Sequence, residues 1–445
     1  GITLNVTSKQ ETPEPMNMIE RGRIFVQKLR ELAGQSPWDW RRCPHCGGTW
    51  TYKNGGYVRR PWTFEGRQEV RIQRHRCHAC RRTYKEEQPW LVAGSWYARE
   101  VRRCAVDQWL HQRSSLRRVA EWVRSFVGRQ ERWWLWRVMA PRPLEQRERC
   151  GLHASTVQRW LGRAGQNAQA GVGGQLEGLP CSGQMATDGL WARLRGGIRR
   201  VVLGLVDSVT GLIWGMVVVA EEESAASWQA LLEQARAMGL AWEGLNGLTS
   251  DGAVGLLSYL RQALPWVHHQ RCVWHLWRSL AADLAQAVAQ AARGLSGEVA
   301  KAIQRVVRQE LTALLHAVID ASSYEQAELA LGQLQAHAYG ARLARKVNEQ
   351  FDRLLFHLLE CHQGLVRISP EWLWRDFRMR LSRGRNHGSA ERLQRAVLLW
   401  KVYHDFTPAQ RRSECKRTYK HPGQSPLEVA GGAPGEISYL DALEV

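Results

Sequence analysis

Apolar positions change period several times along this chain, and the changes divide it. Behind a polar stretch, 1–15, that ends in Pro-Glu-Pro and reads as a tail, Ile24, Phe25, Leu29 and Leu32 fall at helical spacing within residues 19–33. Between residues 54 and 72, Asn54-Gly55-Gly56 and Glu65-Gly66 punctuate an alternation of Val58, Trp62, Phe64, Val70 and Ile72, the pattern of strands joined by turns. From Ala98 to Gly165 the chain reads as helical, and Ala-Gly-Val-Gly-Gly near residue 170 reads as a linker. Two apolar runs, Val201 to Asp207 and Leu212 to Val219, flank Ser208-Val-Thr-Gly211 as a hairpin of buried strands. Residues 222–240 follow as a helix (Ala226, Leu231, Leu232, Ala235, Met238), then a strand over 245–249, a helix over 255–264 and a short strand over 267–272. Residues 278–370 are helical almost throughout, and after about residue 420 three prolines and an acidic end read as a loose tail.

At 445 residues the chain exceeds one typical core, so two to four domains are expected. The net charge of +20 is uneven: residues 1–165 carry 32 Lys and Arg against 15 Asp and Glu, the remainder 30 against 27. A basic first third on a nearly neutral body is the footprint of a polyanion-binding region, and DNA or RNA leads as partner. An arginine-rich bias of the source genome is the bland alternative. No apolar run approaches 18 residues, and the first residues lack the charged and apolar regions of a signal peptide, so a soluble, cytoplasmic protein with no membrane partner is expected.

Ten cysteines include two CxxC pairs, Cys43-Pro-His-Cys46 and Cys77-His-Ala-Cys80. Four thiolates in two knuckles satisfy one tetrahedral Zn²⁺, and the strands between them make a zinc ribbon. His45, His75 and His78 are possible substitutes for a thiolate, and a redox CxxC does not explain two pairs. Arginines, among them Arg59, Arg60, Arg81 and Arg82, interleave with Trp50, Tyr52, Tyr57 and Trp62, as suits phosphate and base contacts. Residues 114–123, with Arg117 and Arg118, resemble the first helix of a helix-turn-helix, and residues 151–161 its recognition helix. There Leu152, Val157, Trp160 and Leu161 would face the core, leaving Ser155, Thr156, Gln158 and Arg159 for the major groove. Residues 125–150 intervene where a standard motif has a short turn, and an ordinary amphipathic helix is the alternative.

With Gln184-Met-Ala-Thr-Asp188-Gly-Leu-Trp as a strand ahead of the hairpin, the order strand, strand, strand, helix, strand, helix, strand is that of a ribonuclease-H-like fold. In that geometry the carboxylate on the first strand and the one ending the fourth strand come side by side, and Asp188 and Asp251 hold those places. Carboxylates so placed repel unless a divalent cation neutralises them, which suits Mg²⁺ or Mn²⁺. Either alone could be a strand-end cap. Asp207, the competitor, precedes Ser-Val-Thr-Gly and is better read as a turn residue.

Thr249-Ser-Asp251-Gly-Ala-Val-Gly-Leu, followed by His269-Gln-Arg-Cys272-Val-Trp-His275-Leu-Trp-Arg, resembles the second catalytic Asp and the Cys-x-x-His motif of Mutator-like transposases. With the N-terminal ribbon, the chain is most similar to a zinc-binding variant of the bacterial insertion-sequence group. The resemblance implies an all-helical insertion between the second Asp and a final Glu, and residues 278–370 match that placement. A thiol is a poor ligand for Mg²⁺, so Cys272 and His275 read as active-site neighbours or DNA contacts rather than metal ligands, with core packing as the plain alternative.

The third carboxylate comes from Glu360, Glu371, Asp376 or Glu391. Asn386-His-Gly-Ser-Ala-Glu391 resembles the family's Asn-x-x-x-x-Glu region at a helix start, which selects Glu391 and makes Asn386 an active-site neighbour; a helix-dipole partner would sit there too. The predicted architecture is multidomain α+β: a tail and helix (1–36), a zinc ribbon (37–95), a helix-turn-helix domain (96–170), a ribonuclease-H-like catalytic domain in two parts (171–279 and 371–425), an all-helical insertion (280–370) and an acidic tail (426–445). The function implied is a nucleoid-associated bacterial DNA transposase, working as a homodimer or larger assembly on double-stranded transposon ends and target DNA. It would use two Mg²⁺ at Asp188, Asp251 and Glu391 and one Zn²⁺ per chain. The rivals are a silent, domesticated DNA-binding regulator and a ribonuclease-H-like nuclease without strand transfer.

Overall fold

The computed structural model describes residues 41–112, 114–127, 150–220, 224–359, 365–368, 374–375, 377–378, 387–408, 423–432 and 438–444. The helix predicted over 19–33, Asn386, Glu360, Glu371 and Asp376 lie outside them. The chain divides into two compact units, one of residues 1–109 and 116–157, the other of 110–115 and 158–444.

In the first unit, β1 (Thr51–Arg59), β4 (Val70–Cys77) and β5 (Thr83–Lys85) form an antiparallel sheet in the order β1-β4-β5. The turn predicted at Asn54-Gly55-Gly56 is a β-bulge inside β1. Gly55 takes φ +68, and a Cβ on Gly56 would lie 2.8 Å from the Ile72 carbonyl oxygen, so the glycines permit an extra residue and a close cross-strand approach. Glu65-Gly66 does turn the chain, joining β2 (Trp62–Thr63) to β3 (Gly66–Arg67). Two helices follow, α1 (Arg99–Gln112) and α2 (Leu116–Phe126), and Val119, Ala120 and Val123 give α2 a buried face.

Helix α3 (Ala154–Leu176) crosses from the first unit into the second. Residues 170–174, read as a linker, are helical. Ala164, Ala168 and Leu176 are buried on α3, and that packing outweighs the roughly 1 kcal/mol that each interior glycine costs a helix.

The second unit is built on a five-stranded sheet ordered β10-β9-β6-β7-β8: β6 Gln184–Arg193, β7 Arg199–Asp207, β8 Ile213–Val219, β9 Gly247–Ser250 and β10 His268–Arg271. β6, β7 and β8 are antiparallel; β9 and β10 run parallel to β6. Val201 to Asp207 are all buried, because helices cover both faces of β7 and no polar alternation is needed. On one face Gly215 abuts Leu231 and Ala235 of α4 (Ala225–Ala237). On the other, Leu190, Val202, Met216 and Trp374 form a core with Leu393, Val397 and Trp400 of α11 (Ala390–Phe406). The outer edge of β8 is closed by side chains. Gln234 accepts from the Met216 amide (2.8 Å), Gln394 accepts from Val218 (2.7 Å) and donates to the Met216 carbonyl (2.9 Å), and Asp405 accepts from Ile213 (3.1 Å).

Helix α5 (Val254–Ala263) joins β9 to β10, and between β10 and α11, helices α6 (Val273–Ala291), α7 (Gly297–Ile319), α8 (Tyr324–Ala336), α9 (Ala341–Asn348) and α10 (Phe351–Leu355) build a core of their own around Leu280, Leu311, Leu315, Leu334 and Leu343. The stretch after residue 426, read as a loose acidic tail, is packed in its described parts. Leu427 and Leu443 are buried, the Leu443 carbonyl accepts from Asn167 (3.1 Å), and short helices at Pro426–Val429 and Tyr439–Ala442 carry Ser425/Glu428 and Ser438/Asp441 capping boxes. Pro426 sits in the first turn of its helix, so this proline starts a helix instead of ending one.

Candidate active site and metal centre

β6 and β9 pair in parallel with Gln184 against Gly247, Met185 against Leu248 and Ala186 against Thr249. The same offset carried two residues further sets Asp188 beside Asp251, at the point where β9 ends and the chain turns away. Asp188 and Asp251 line one cleft of about 570 Å³ with Arg271, His275, Arg278, Ser279 and Arg378. Asp188 is 5% exposed. One oxygen of each carboxylate accepts a nearby amide: Asp188 Oδ1 from Gly189 (2.9 Å) and Asp251 Oδ1 from Ala253 (3.0 Å), which fixes both side chains against rotation.

The turn after Asp251 depends on glycine. Gly252 takes φ +79, and a Cβ there would stand 2.8 Å from Arg271 Nη1. Behind it, Ser250 Oγ accepts from the Gly252 amide (3.0 Å) and is hydrogen-bonded to His269 Nε2 (2.7 Å). Burial, with the positive fields of Arg353 and Arg271, pushes the His269 pKa down to about 3, so the ring is neutral. Burial also lowers Arg271 from its usual value, and the Asp251 charge opposes that shift.

Cys272 is fully buried at the start of α6, and its amide donates to the Ser250 carbonyl (2.8 Å). His275, one turn on, lines the cleft with its ring edge-on to Trp274. The two parts of the Cys-x-x-His motif therefore differ in place: the thiol is in the core and the imidazole is at the cleft. Glu391 lies in the first turn of α11, whose Ser389 side chain caps the Arg392 amide; it is exposed and does not line the cleft. Asp207 is a turn residue, as expected, accepting from the amides of Ser182, Val209 and Thr210. Arg271, Arg278, Arg378 and the Ser250–His269 pair were not singled out from sequence; Arg271 directly precedes Cys272, and that adjacency was the available signal.

In the first unit the sulfurs of Cys43, Cys46, Cys77 and Cys80 lie within 4.8 Å of one another. Cys43 and Cys80 are 3.6 Å apart, Cys46 and Cys77 3.7 Å. A tetrahedral ion with Zn–S bonds of about 2.3 Å spaces its sulfurs by about 3.8 Å, so the donor set fits one zinc ion. Backbone amides of Cys80 and Ala79 help bring the Cys77 thiol down to about 7. The residue after each second cysteine is left-handed, Gly47 at φ +71 and Arg81 at φ +60, which gives the knuckles matching turns. Among the described residues no histidine joins the four sulfurs: His45 is exposed, His78 stacks on Trp50, and His75 is buried against Glu86 (2.9 Å).

The residues expected to meet DNA are placed variously. Arg59 donates to the carbonyls of Val92 (3.0 Å) and Ser95 (2.5 Å), so its guanidinium braces the unit. Arg60 pairs with Glu69 (3.0 Å) and Arg117 with Glu121 (3.1 Å), both in solvent. Arg81, Arg82, Arg118, Ser155 and Arg159 are exposed, Thr156 and Gln158 half-buried, and Leu152, Val157, Trp160 and Leu161 buried. No helix among the described residues is long and apolar enough to cross a membrane.

Residues 211–362 match the family described as "Transposase, Mutator family". The match spans β8 through α10 and includes Asp251, Cys272 and His275, while Asp188 and Glu391 lie on either side of it. No curated protein matches the chain. Residues 211–362 are thus similar to a Mutator-family transposase domain.

Proposed function

We propose that this chain is a DNA transposase of the bacterial insertion-sequence type that cuts and joins DNA at a divalent-metal centre held by Asp188, Asp251 and Glu391. The observation that carries the reading is the shared cleft: two carboxylates from adjacent parallel strands, one inside the Mutator-family segment, face the same space. The strand order β10-β9-β6-β7-β8, antiparallel on one side of β6 and parallel on the other, supports a ribonuclease-H-like catalytic fold. The donors are hard carboxylate oxygens, which suit Mg²⁺ or Mn²⁺. Bound there, two such cations would activate a water or a 3′-hydroxyl of the DNA as nucleophile and stabilise the leaving oxygen of an in-line displacement.

The remaining tasks fall to side chains. Asp188 and Asp251 fix the donor positions through their amide contacts, Arg271, Arg278 and Arg378 offset phosphate charge in the cleft, and no covalent protein intermediate is needed. Glu391 is the third carboxylate in this reading, on the family resemblance of its helix start. The four-cysteine ribbon with zinc, the exposed Arg81, Arg82 and Arg118, and the Ser155–Arg159 face of α3 would recognise the double-stranded transposon ends, and two paired ends call for at least a homodimer.

Strand transfer with the ends of its own element in Mg²⁺ tests the proposal. Joined product from the wild type, abolished by Asp251→Ala, is the expected result. Cleavage without joining would mean a nuclease, and specific binding without chemistry a DNA-binding regulator.

A further inference from the structure

We infer that Arg271 is a phosphate-binding residue of the cleft, holding a non-bridging oxygen of the DNA phosphate presented to Asp188 and Asp251; the inference rests on the metal-centre reading above. Arg271 ends β10, directly beside Ser250 of β9, and its side chain reaches the cleft wall next to Asp251. Its Nε is buried with no hydrogen-bond partner among the described residues. A buried guanidinium donor left unmatched costs stability unless something outside the described protein groups accepts from it.

Asp251 is not that acceptor. Its charge reaches Arg271, yet no ion pair joins the two among the described residues, and the described hydrogen bond of the Asp251 carboxylate goes to the Ala253 amide. Gly252, left-handed at φ +79, lies alongside the guanidinium, where a Cβ would stand 2.8 Å from Nη1. A cation kept close to Asp251 but not ion-paired with it among the described residues suits a ligand that binds metal and guanidinium together, and a phosphodiester does so through different oxygens. The planar fork of arginine matches phosphate geometry, whereas a lone carboxylate would compete with Asp188 and Asp251 for the metal.

The test uses the full-length protein, Mn²⁺ and thymidine 5′-monophosphate. Mn²⁺ held in the cleft relaxes the ³¹P signal of a phosphate bound beside it, and electron paramagnetic resonance counts bound Mn²⁺ separately. Arg271→Gln is expected to bind Mn²⁺ at least as well as the wild type while reducing the ³¹P relaxation enhancement about tenfold or more, as loss of a charged hydrogen bond predicts. Arg271→Lys should fall between. Equal enhancement in wild type, Lys and Gln variants overturns the phosphate role. Failure of the wild type to bind Mn²⁺, or unchanged Mn²⁺ binding in Asp251→Ala, overturns the metal-centre reading and the inference with it. Should Arg271→Gln lose Mn²⁺ through misfolding, Arg271→Lys decides: wild-type Mn²⁺ binding with wild-type relaxation counts against the role, and reduced relaxation counts for it.

Discussion

Arg81 holds a left-handed backbone at the second cysteine knuckle, where the matching position of the first knuckle carries Gly47. Left-handed geometry costs a residue with a Cβ about 1 kcal/mol, so Arg81→Gly should stabilise the ribbon by roughly that amount while weakening DNA binding. Thermal unfolding and a duplex-binding titration check the two halves, and a destabilised variant would contradict the first. His269 makes a different prediction. Folded, it stays neutral down to about pH 3, whereas an unfolded histidine titrates near 6.5, so between those values only the unfolded chain takes up this proton. Its depressed pKa therefore leaves stability intact above about pH 6.5 and erodes it as pH falls toward 3. His269→Gln removes that term, and the urea midpoints of wild type and variant should lie closer at pH 4.5 than at pH 7; a constant gap would refute the assignment. The two aspartates were legible in sequence because strand order alone brings them together. Arg271 was not, because its significance lies in a missing hydrogen-bond partner and a missing Cβ across a turn, neither of which has a periodicity.

Helix α11 is fixed to the sheet by polar contacts that only the folded chain reveals. Lys401 and Asp405 form a fully buried pair at 2.7 Å, and Asp405 also receives the Ile213 amide. Asp405→Ala would strand a buried ammonium and should cost about 3–5 kcal/mol in a denaturant titration, whereas Lys401→Met with Asp405→Leu should recover most of it apart from the Ile213 amide. A Cβ on Gly165 would collide with the Arg395 carbonyl oxygen, so α3 and α11 cross at backbone contact. Gly165→Ala should therefore destabilise despite the better helix propensity of alanine. Sequence pattern located the hairpin of β7 and β8, the strands β9 and β10 and the helical stretch after β10, because each has a clean period or a continuous apolar run. It misplaced Asn54-Gly55-Gly56, residues 170–174 and the stretch after Pro426, all for one reason: glycine and proline were read as breakers, whereas here they stand in a bulge, in a continuous helix and at a helix start.

Across the whole chain the two units rely on different sources of stability. The core at the cysteine cluster consists of Cys43, Cys77 and Tyr84 with Cys80 packed against it, small for three short strands, so a zinc ion bound there would supply much of the ribbon's folding energy. Metal analysis should find about one zinc per chain, and chelation should abolish DNA-end binding while leaving the sheet built on β6 and β7 folded by hydrogen exchange; a ribbon indifferent to chelation would contradict the assignment. The charge of +20, concentrated before residue 166, likewise implies duplex binding that weakens steeply with salt. In the proposed centre Asp188 and Asp251 share one metal site and Glu391, outside the cleft they line, is assigned as the third ligand; this can be tested without knowing the DNA sequence. Fe²⁺ placed in that centre with ascorbate and peroxide cuts the polypeptide beside the residues that hold it. Mg²⁺-competed scission near positions 188, 251 and 391, lost in Asp251→Ala, is the expected result; scission that spares 188 or 251 would overturn the shared centre, and scission that spares only 391 would move the third carboxylate elsewhere.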